Sequence, residues 1–295
     1  MFPRWKAAVA AVLAAVLAWC GALALVGWYQ PAQQADLPMS GQKRLHSVEL
    51  PILMYHHIHK SASQWGDHVV SPQTLEGDFQ YLTAQGYTAV TVADLTAYTQ
   101  NGTPLPEKPI MITFDDGFES FEVYAVPLLK HYGMQAVLAV VGEYADLFTD
   151  HIDHNVSYSY LSWEGIADTM LEGNVEIISH TYSMHSTDGA RKGCKQKDGE
   201  SDEAYRAALT QDLQKLQDTL INYTGQAPRA IAFPYGHYNT KTLEIVRDMG
   251  FEVAFTCRER INIVGLQDET FLLLGRYNRP SGKSSSAFFR PLMEE

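Results

Sequence analysis

Short apolar runs that alternate with longer amphipathic runs are the feature that most constrains the fold of this chain. Several apolar runs are rich in Val and Ile, as strands buried on both faces of a parallel sheet are. The predicted strands are Pro51–Tyr55, Tyr87–Val92, Ile110–Phe114, Ala136–Val141, Val175–Ser179, Ala230–Phe233, Glu252–Thr256 and Phe271–Leu274. The predicted helices are Thr74–Gln85, Phe118–Tyr132, Trp163–Glu172, Glu203–Tyr223 and Thr240–Met249, and several are followed by a glycine, the usual C-terminal cap. This alternation predicts an α/β fold with a parallel, barrel-like sheet.

The N-terminus carries a long uncharged segment behind two basic residues. Arg4 and Lys6 precede Ala7–Trp28, which contains no charged side chain. As a helix this segment would rise about 33 Å, close to the thickness of a bilayer core. A cleaved secretory signal, whose apolar run is shorter, stays open as the alternative. Since the basic residues come before the span, we expect a single-pass protein of the cell membrane with the remaining domain outside the cytoplasm.

Three segments are therefore predicted: a cytoplasmic stub and anchor (1–29), a polar linker (30–48) and one domain (49–295). The formal net charge of the chain is −12. Nucleic-acid binding needs clustered Lys and Arg, so we expect no nucleic-acid partner. Beyond the anchor, Cys194 and Cys257 are the only cysteines, and both a disulfide and two free thiols stay open. Nothing in the sequence predicts an oligomeric state.

Side chains that carry chemistry follow four of the predicted strands. They are His56, His57 and His59 after the first, Asp115 and Asp116 after the third, His180 and His185 after the fifth, and Pro234, Tyr235 and Gly236 after the sixth. Each group alone has an ordinary explanation as surface histidines or tight turns. In barrels of this kind, however, the C-terminal ends of the strands meet at one face that holds the active site. Their joint placement predicts a single site.

The spacing of the acidic and histidine groups suggests a metal site. His180 and His185 are five residues apart, so neither a helix nor a strand lets both touch one metal, whereas a strand end that curls into a loop does. A carboxylate with two imidazoles leaves open positions on a divalent metal, as metal-assisted hydrolysis requires. Because side chains alternate along a strand, Asp115 and Asp116 are expected to have different roles.

Three motifs in this order resemble those of the polysaccharide deacetylases, carbohydrate esterase family 4, which share the NodB-homology fold. They are TFDDG (Thr113–Gly117), SHTYSMH (Ser179–His185) and FPYG (Phe233–Gly236). The resemblance spans roughly residues 50–278 and implies a distorted (β/α) barrel that removes acetyl groups from N-acetylated sugars in polymers. By motif position, the residues that match the metal ligands are Asp116, His180 and His185, and the residue that matches the general base is Asp115.

Three departures from the family pattern point to one of its branches. The histidine pair is spaced H-x-x-x-x-H, the third motif lacks its usual preceding Arg, and LLLGRYNRP (Leu272–Pro280) contains no late histidine. These departures resemble the biofilm poly-β-1,6-N-acetylglucosamine deacetylases, in which the histidine of an N-terminal Tyr-His motif replaces the late one. The stretch LMYHHI supplies that motif, so His56 is expected to protonate the leaving amine, and His57, on the opposite face, is expected to be structural.

The remaining site residues receive supporting roles. Arg276 stays charged and is expected to orient a carboxylate such as Asp115. The backbone N–H of Tyr235, beside Pro234, is expected to stabilise the oxyanion. Zn is the metal expected first, and Ni, Co or Fe would fit the same ligands.

The sequence thus predicts a metal-dependent hydrolase whose partner is an acetylated amino-sugar polymer containing N-acetylglucosamine. Three other functions stay open. The substrate could be peptidoglycan. The chain could be a membrane-anchored glycan-binding pseudoenzyme, because the usual Arg and the late histidine are absent. It could also be a tethered metal-dependent amidase that acts on peptides.

Overall fold

Parallel strands form the central sheet. The computed structural model describes residues 47–187, 189, 191–266 and 271–293. In chain order the strands are β1 Ser47–Leu50, β2 Ile52–Tyr55, β3 His57–Ile58, β4 Val69–Val70, β5 Thr88–Ala89, β6 Pro109–Phe114, β7 Ala136–Val140, β8 Val175–Ser179, β9 Ala230–Ala232, β10 Val253–Phe255, β11 Asn262–Gly265, β12 Leu272–Leu274 and β13 Tyr277–Asn278. The order in the main sheet is β12-β10-β9-β8-β7-β6-β2-β13, with β5 also paired to β6. All of these pairs are parallel, as predicted.

The helices cover the sheet. They are α1 Pro72–Ala84, α2 Val92–Asn101, α3 Val126–Tyr132, α4 Gly142–Asp150, α5 Trp163–Leu171, α6 Asp202–Thr224, α7 Thr240–Asp248 and α8 Ser285–Met293, and a π-helical turn at Phe121–Ala125 leads into α3. The sequence did not predict α2, α4 or α8. The strand predicted at Tyr87–Val92 is wrong in its second half, because Thr91 and Asp94 form a capping box that starts α2.

The sheet curls round on itself. Its two end strands, β12 and β13, are consecutive in the chain and are joined by Gly275 and Arg276 alone. The three residue steps from Leu274 to Tyr277 span at most about 11 Å, so these two ends of the sheet lie close together. The Arg276 side chain is completely buried. The predicted barrel-like closure is therefore seen as a curled parallel sheet with Arg276 at its seam.

Both faces of the central strands are buried. In β6 the side chains of Ile110, Ile112 and Phe114 pack on the helix-covered face, while Met111 lies in the opposite cluster. The strands therefore need apolar residues at successive positions, which explains why their runs do not alternate with polar residues. Thr113 and then Asp115 continue the face of Met111, because side chains alternate along a strand.

The predicted anchor (7–28) and most of the predicted linker lie outside the described residues. Strand β1 begins at Ser47, two residues before the predicted start of the domain. No helix in the described part of the chain is both apolar enough and long enough to cross a membrane. Cys194 and Cys257 are free thiols, the first buried and the second exposed, so the disulfide alternative is not realised in this structure.

Candidate active site

The two adjacent aspartates diverge at the end of β6. Asp115 stays in the strand register, and its backbone N–H donates to the carbonyl of Tyr55 on the neighbouring strand β2 (2.9 Å). Asp116 then takes a left-handed backbone conformation with φ of 75°, followed by Gly117 with φ of 78°. This turn directs the two carboxylates to different partners, as the sequence predicts.

Asp116 meets the two predicted histidines. Its Oδ1 atom lies 3.1 Å from His185 Nε2 and 3.5 Å from His180 Nε2. One ligand atom from each of the three side chains lies within 4.8 Å of the others, and no other such group of His, Cys, Asp and Glu occurs in the described ranges. The structure therefore brings together the residues that the sequence proposes as metal ligands.

In both histidines the Nδ1 atom, on the ring side away from Asp116, contacts another group of the protein. His180 Nδ1 lies 2.8 Å from the backbone carbonyl of Ala232, so Nδ1 must carry a proton, and Nε2 is the acceptor when the ring is neutral. His185 Nδ1 lies 3.1 Å from the Tyr144 hydroxyl and 3.4 Å from the Tyr235 hydroxyl. Such backing contacts fix the ring orientation of metal-ligating histidines.

These residues fit a divalent cation. Asp116 Oδ1 is buried, yet it makes no hydrogen bond to any described residue. In the neutral form of the His180 ring, the Nε2 lone pair points towards the same oxygen, and a cation between them would remove the resulting repulsion.

Asp115 is bound by Arg276 instead. Arg276 Nη1 donates to Oδ1 at 2.6 Å and Nη2 donates to Oδ2 at 2.8 Å, with both side chains buried. Arg276 also donates to the Thr113 hydroxyl and to the carbonyl of Thr256. Burial raises the pKa of Asp115, but Arg276 and then His180 lower it by more, so the net pKa lies below the ordinary value. Arg276, which the sequence analysis expects to orient a carboxylate, thus contacts Asp115 directly.

His56 follows β2 beside Asp115. Tyr55 pairs with Phe114 across the two strands, so His56 and Asp115 leave the sheet side by side. The Nδ1 atom of His56 is buried without a hydrogen-bond partner among the described residues. Burial holds the pKa of His56 below its ordinary value, although Asp115 and Asp116 act in the opposite direction.

His57 faces away from this cluster. Its Nδ1 lies 2.9 Å from the Ser120 hydroxyl and its Nε2 lies 3.1 Å from the carbonyl of Ser157. Both ring nitrogens are therefore occupied by structural contacts, in line with the role predicted for this histidine.

Each of the TFDDG, SHTYSMH and FPYG motifs contains one non-glycine residue in a left-handed backbone conformation. Among the described residues, the only non-glycine residues with positive φ are Asp116 (75°), Thr181 (71°) and Tyr235 (55°). Each such conformation costs about 1 kcal/mol or more and is typically found at functional sites. Tyr235 lies in the turn that begins at Pro234, and its side chain is 48% exposed beside His185. Sequence patterns give no direct signal for these conformations.

Other residues that shape the site were not predicted. Asp212 on α6 accepts hydrogen bonds from the backbone N–H groups of Tyr182 and Ser183 (both 2.8 Å) and from the Ser183 hydroxyl. These bonds hold the loop that brings His185 back towards His180. The sequence offered a signal, because Asp212 lies three residues after Leu209 and four before Leu216, on the apolar face of α6. Tyr144, which backs His185, lies on the unpredicted helix α4.

The family model described as Polysaccharide deacetylase matches residues 102–254, just over half of the 295 residues. The chain belongs to the polysaccharide deacetylase family. The matched range contains Asp115, Asp116, both site histidines and Tyr235, and ends before Arg276. The family indicated by the three sequence motifs is thereby confirmed.

Relatives of known name are similar to most of the described domain. A protein of Escherichia coli K12 named poly-β-1,6-N-acetyl-D-glucosamine N-deacetylase is 27% identical over 251 residues, 77% of this chain and 36% of the relative. The same-named protein of Escherichia coli O157:H7 is 27% identical over 69% of this chain and 33% of its own length. The chain thus spans about a third of the length of these relatives.

Solved structures share the fold. A structure of IcaB from Ammonifex degensii is 26% identical with a TM-score of 0.66, covering 79% of this chain and 92% of that one. A de-N-acetylase from Aggregatibacter actinomycetemcomitans is 22% identical with a TM-score of 0.70, covering 82% of this chain and 99% of that one. The curled parallel sheet with its helices is therefore the NodB-type fold.

Proposed function

We propose that this chain removes N-acetyl groups from N-acetylglucosamine units of a cell-surface polysaccharide, with a divalent metal ion held by Asp116, His180 and His185. The observation that carries the proposal is the convergence of these three side chains within 4.8 Å. The adjoining carboxylate held by Arg276 and the names of the poly-β-1,6-N-acetylglucosamine relatives also support it. Zn is the first candidate, and Ni, Co or Fe suit the same ligands.

An amide is a poor electrophile, and a bound divalent cation supplies the Lewis acid that polarises its carbonyl and lowers the pKa of nearby water. Asp115 takes the proton of the attacking water. It can do so because its lowered pKa keeps it ionised near neutral pH. Arg276 fixes the orientation of Asp115 through its two parallel hydrogen bonds.

The leaving amine requires a proton. His56 stands beside Asp115 and its buried Nδ1 has no partner among the described residues, so we assign it the role of general acid. We assign the role of oxyanion donor to the backbone N–H of Tyr235, which lies in the turn after Pro234.

The same proposal includes a membrane location. The uncharged run Ala7–Trp28, with Arg4 and Lys6 before it, supports a single-pass anchor. The domain would then face its polymer substrate outside the cytoplasm.

Acetate release from substrates that differ in linkage tests the function. β-1,6-linked N-acetylglucosamine oligomers should release acetate faster than β-1,4-linked chitooligosaccharides, peptidoglycan fragments or N-acetylated peptides. Faster release from peptidoglycan would instead favour a peptidoglycan deacetylase, and release from peptides would favour an amidase. Binding of glycans without acetate release, in metal-loaded protein, would indicate a pseudoenzyme.

A further inference from the structure

An acidic cavity opens beside the candidate active site. Its volume is about 380 Å³, and Tyr160 forms part of its wall. The Tyr160 ring lies 4.5 Å from that of Tyr144, whose hydroxyl is 3.1 Å from His185 Nδ1. Two aromatic side chains therefore lie between the cavity and the metal-ligand cluster, so the cavity is close to the candidate active site.

Carboxylates dominate the lining of this cavity. The acidic residues are Glu119, Glu122, Asp153, Glu164 and Asp168. His154 is the basic residue of the lining, in which no Lys or Arg occurs among the described residues. Partial removal from water raises the pKa of Glu122, and the nearby charges of Glu119, Glu172 and Asp168 raise it further. The crowding of like charges favours a cationic occupant.

Glu119 supplies an independent observation. The residue is 7% exposed, and His154 Nδ1 lies 2.6 Å from its Oε1 atom. The Oε2 atom is buried and has no hydrogen-bond partner in the described part of the chain. A buried carboxylate oxygen without a donor is costly, and a cationic donor in the cavity would satisfy it.

The lining fits an organic cation better than a metal ion. Within the described ranges, Asp116, His180 and His185 are the only group of three or more His, Cys, Asp or Glu residues whose ligand atoms lie within 4.8 Å of one another, so the cavity carboxylates do not converge on one ion. Phe148 and Tyr160, with ring centroids 5.7 Å apart, give the cavity an apolar wall. Aromatic faces next to acidic groups suit the apolar face and the protonated amine of an amino sugar.

We propose that this cavity binds the protonated amine of a glucosamine unit that has already lost its acetyl group, while another unit of the same polymer occupies the active site. The inference rests on the proposed function, because that reaction produces such amines. Glu119 and Glu122 are the residues that recognise the charge. The chain would therefore prefer partly deacetylated polymer over fully acetylated polymer.

Calorimetric titration with glucosamine tetramers tests this site without any turnover. The probes are the β-1,6-linked and β-1,4-linked tetramers, and the N-acetylated β-1,6 tetramer is measured in an Asp115→Asn background. Glu119→Gln and Glu122→Gln should each weaken binding of the glucosamine tetramer by about 10-fold or more, the effect of losing one charged hydrogen bond. Binding should also weaken as salt is added.

Glu244→Gln is the matched control, because it makes the same charge change on an exposed position of α7. It should leave the affinity for both kinds of tetramer unchanged. The two cavity variants should lose affinity for the cationic tetramer more than for the acetylated one, which a general loss of structure would not produce. Glu122 is exposed, so its variant keeps the test valid if Glu119→Gln does not fold.

If the wild type and both cavity variants bind the glucosamine tetramer equally well, the proposal that the cavity is a binding site is refuted. That result, together with normal acetate release from acetylated oligomers, would leave the proposed function standing. Selective loss of binding in the variants, with no acetate release from any glycan, would support the cavity and refute the deacetylase activity.

Discussion

Arg276 holds both oxygens of Asp115, although the two residues are 161 positions apart in the sequence. The contacts are 2.6 and 2.8 Å long, and they run from the link between the two end strands, β12 and β13, to the end of β6. The arginine therefore links closure of the fold to the orientation of the proposed base.

Replacing this arginine tests that link. Arg276→Lys keeps the charge but cannot make two parallel hydrogen bonds, so Asp115 would lose its fixed orientation. We expect turnover to fall by about 100-fold or more, with metal content retained. Acetate release and metal analysis of the same preparation measure both quantities. Arg206→Lys, at an exposed ion pair, is the control. Normal turnover of Arg276→Lys would contradict the proposed role.

A second buried ion pair should matter for stability. Arg279 donates to both oxygens of Asp78 (2.8 and 2.9 Å), and the Tyr55 hydroxyl donates to the same carboxylate (2.9 Å). Arg279→Met leaves Asp78 buried without its charged partner, so the free energy of unfolding should fall by about 3–5 kcal/mol. Equilibrium urea unfolding measures this loss. Arg206→Met, which breaks an exposed pair, should cost about 1 kcal/mol or less, and equal losses for both variants would contradict the expectation.

Alanine variants of two adjacent histidines test the proton donor: His56→Ala removes the proposed donor, and His57→Ala is the control. His56→Ala should lower turnover by about 100-fold or more without loss of metal. Turnover of the wild type should fall as pH rises through the His56 pKa, because the donor is then lost, and the variant should lack this limb. His57→Ala removes contacts to Ser120 and Ser157 and should lower stability instead. Near-normal turnover of His56→Ala would mean that the amine is protonated by another group.

Much of the fold follows from local pattern, and the rest depends on distant contacts. The parallel strands were predictable because burial on both faces demands continuous apolar runs. Helix α4 was missed because its first turn directly follows β7 and its N-cap, Val141, makes no side-chain cap. The site histidines were predictable from their positions after β8. The loop that unites them was not, because it depends on Asp212 and on left-handed backbone at Thr181.

The proposed anchor can be tested on the intact chain. The run Ala7–Trp28 should keep the protein in the membrane fraction, and protease added outside the cytoplasmic membrane should remove the domain. Immunoblotting after fractionation and N-terminal sequencing of the mature protein measure both. A mature N-terminus beyond Trp28 would show a cleaved signal instead.

The metal site is the central claim, and paired measurement of metal content and acetate release tests it most directly. Chelation should abolish acetate release from β-1,6-linked oligomers, and a divalent first-row metal should restore it. His185→Ala should lose bound metal and activity together, whereas His131→Ala, an exposed histidine on α3, should lose neither. Full acetate release by metal-free wild-type protein would contradict the account.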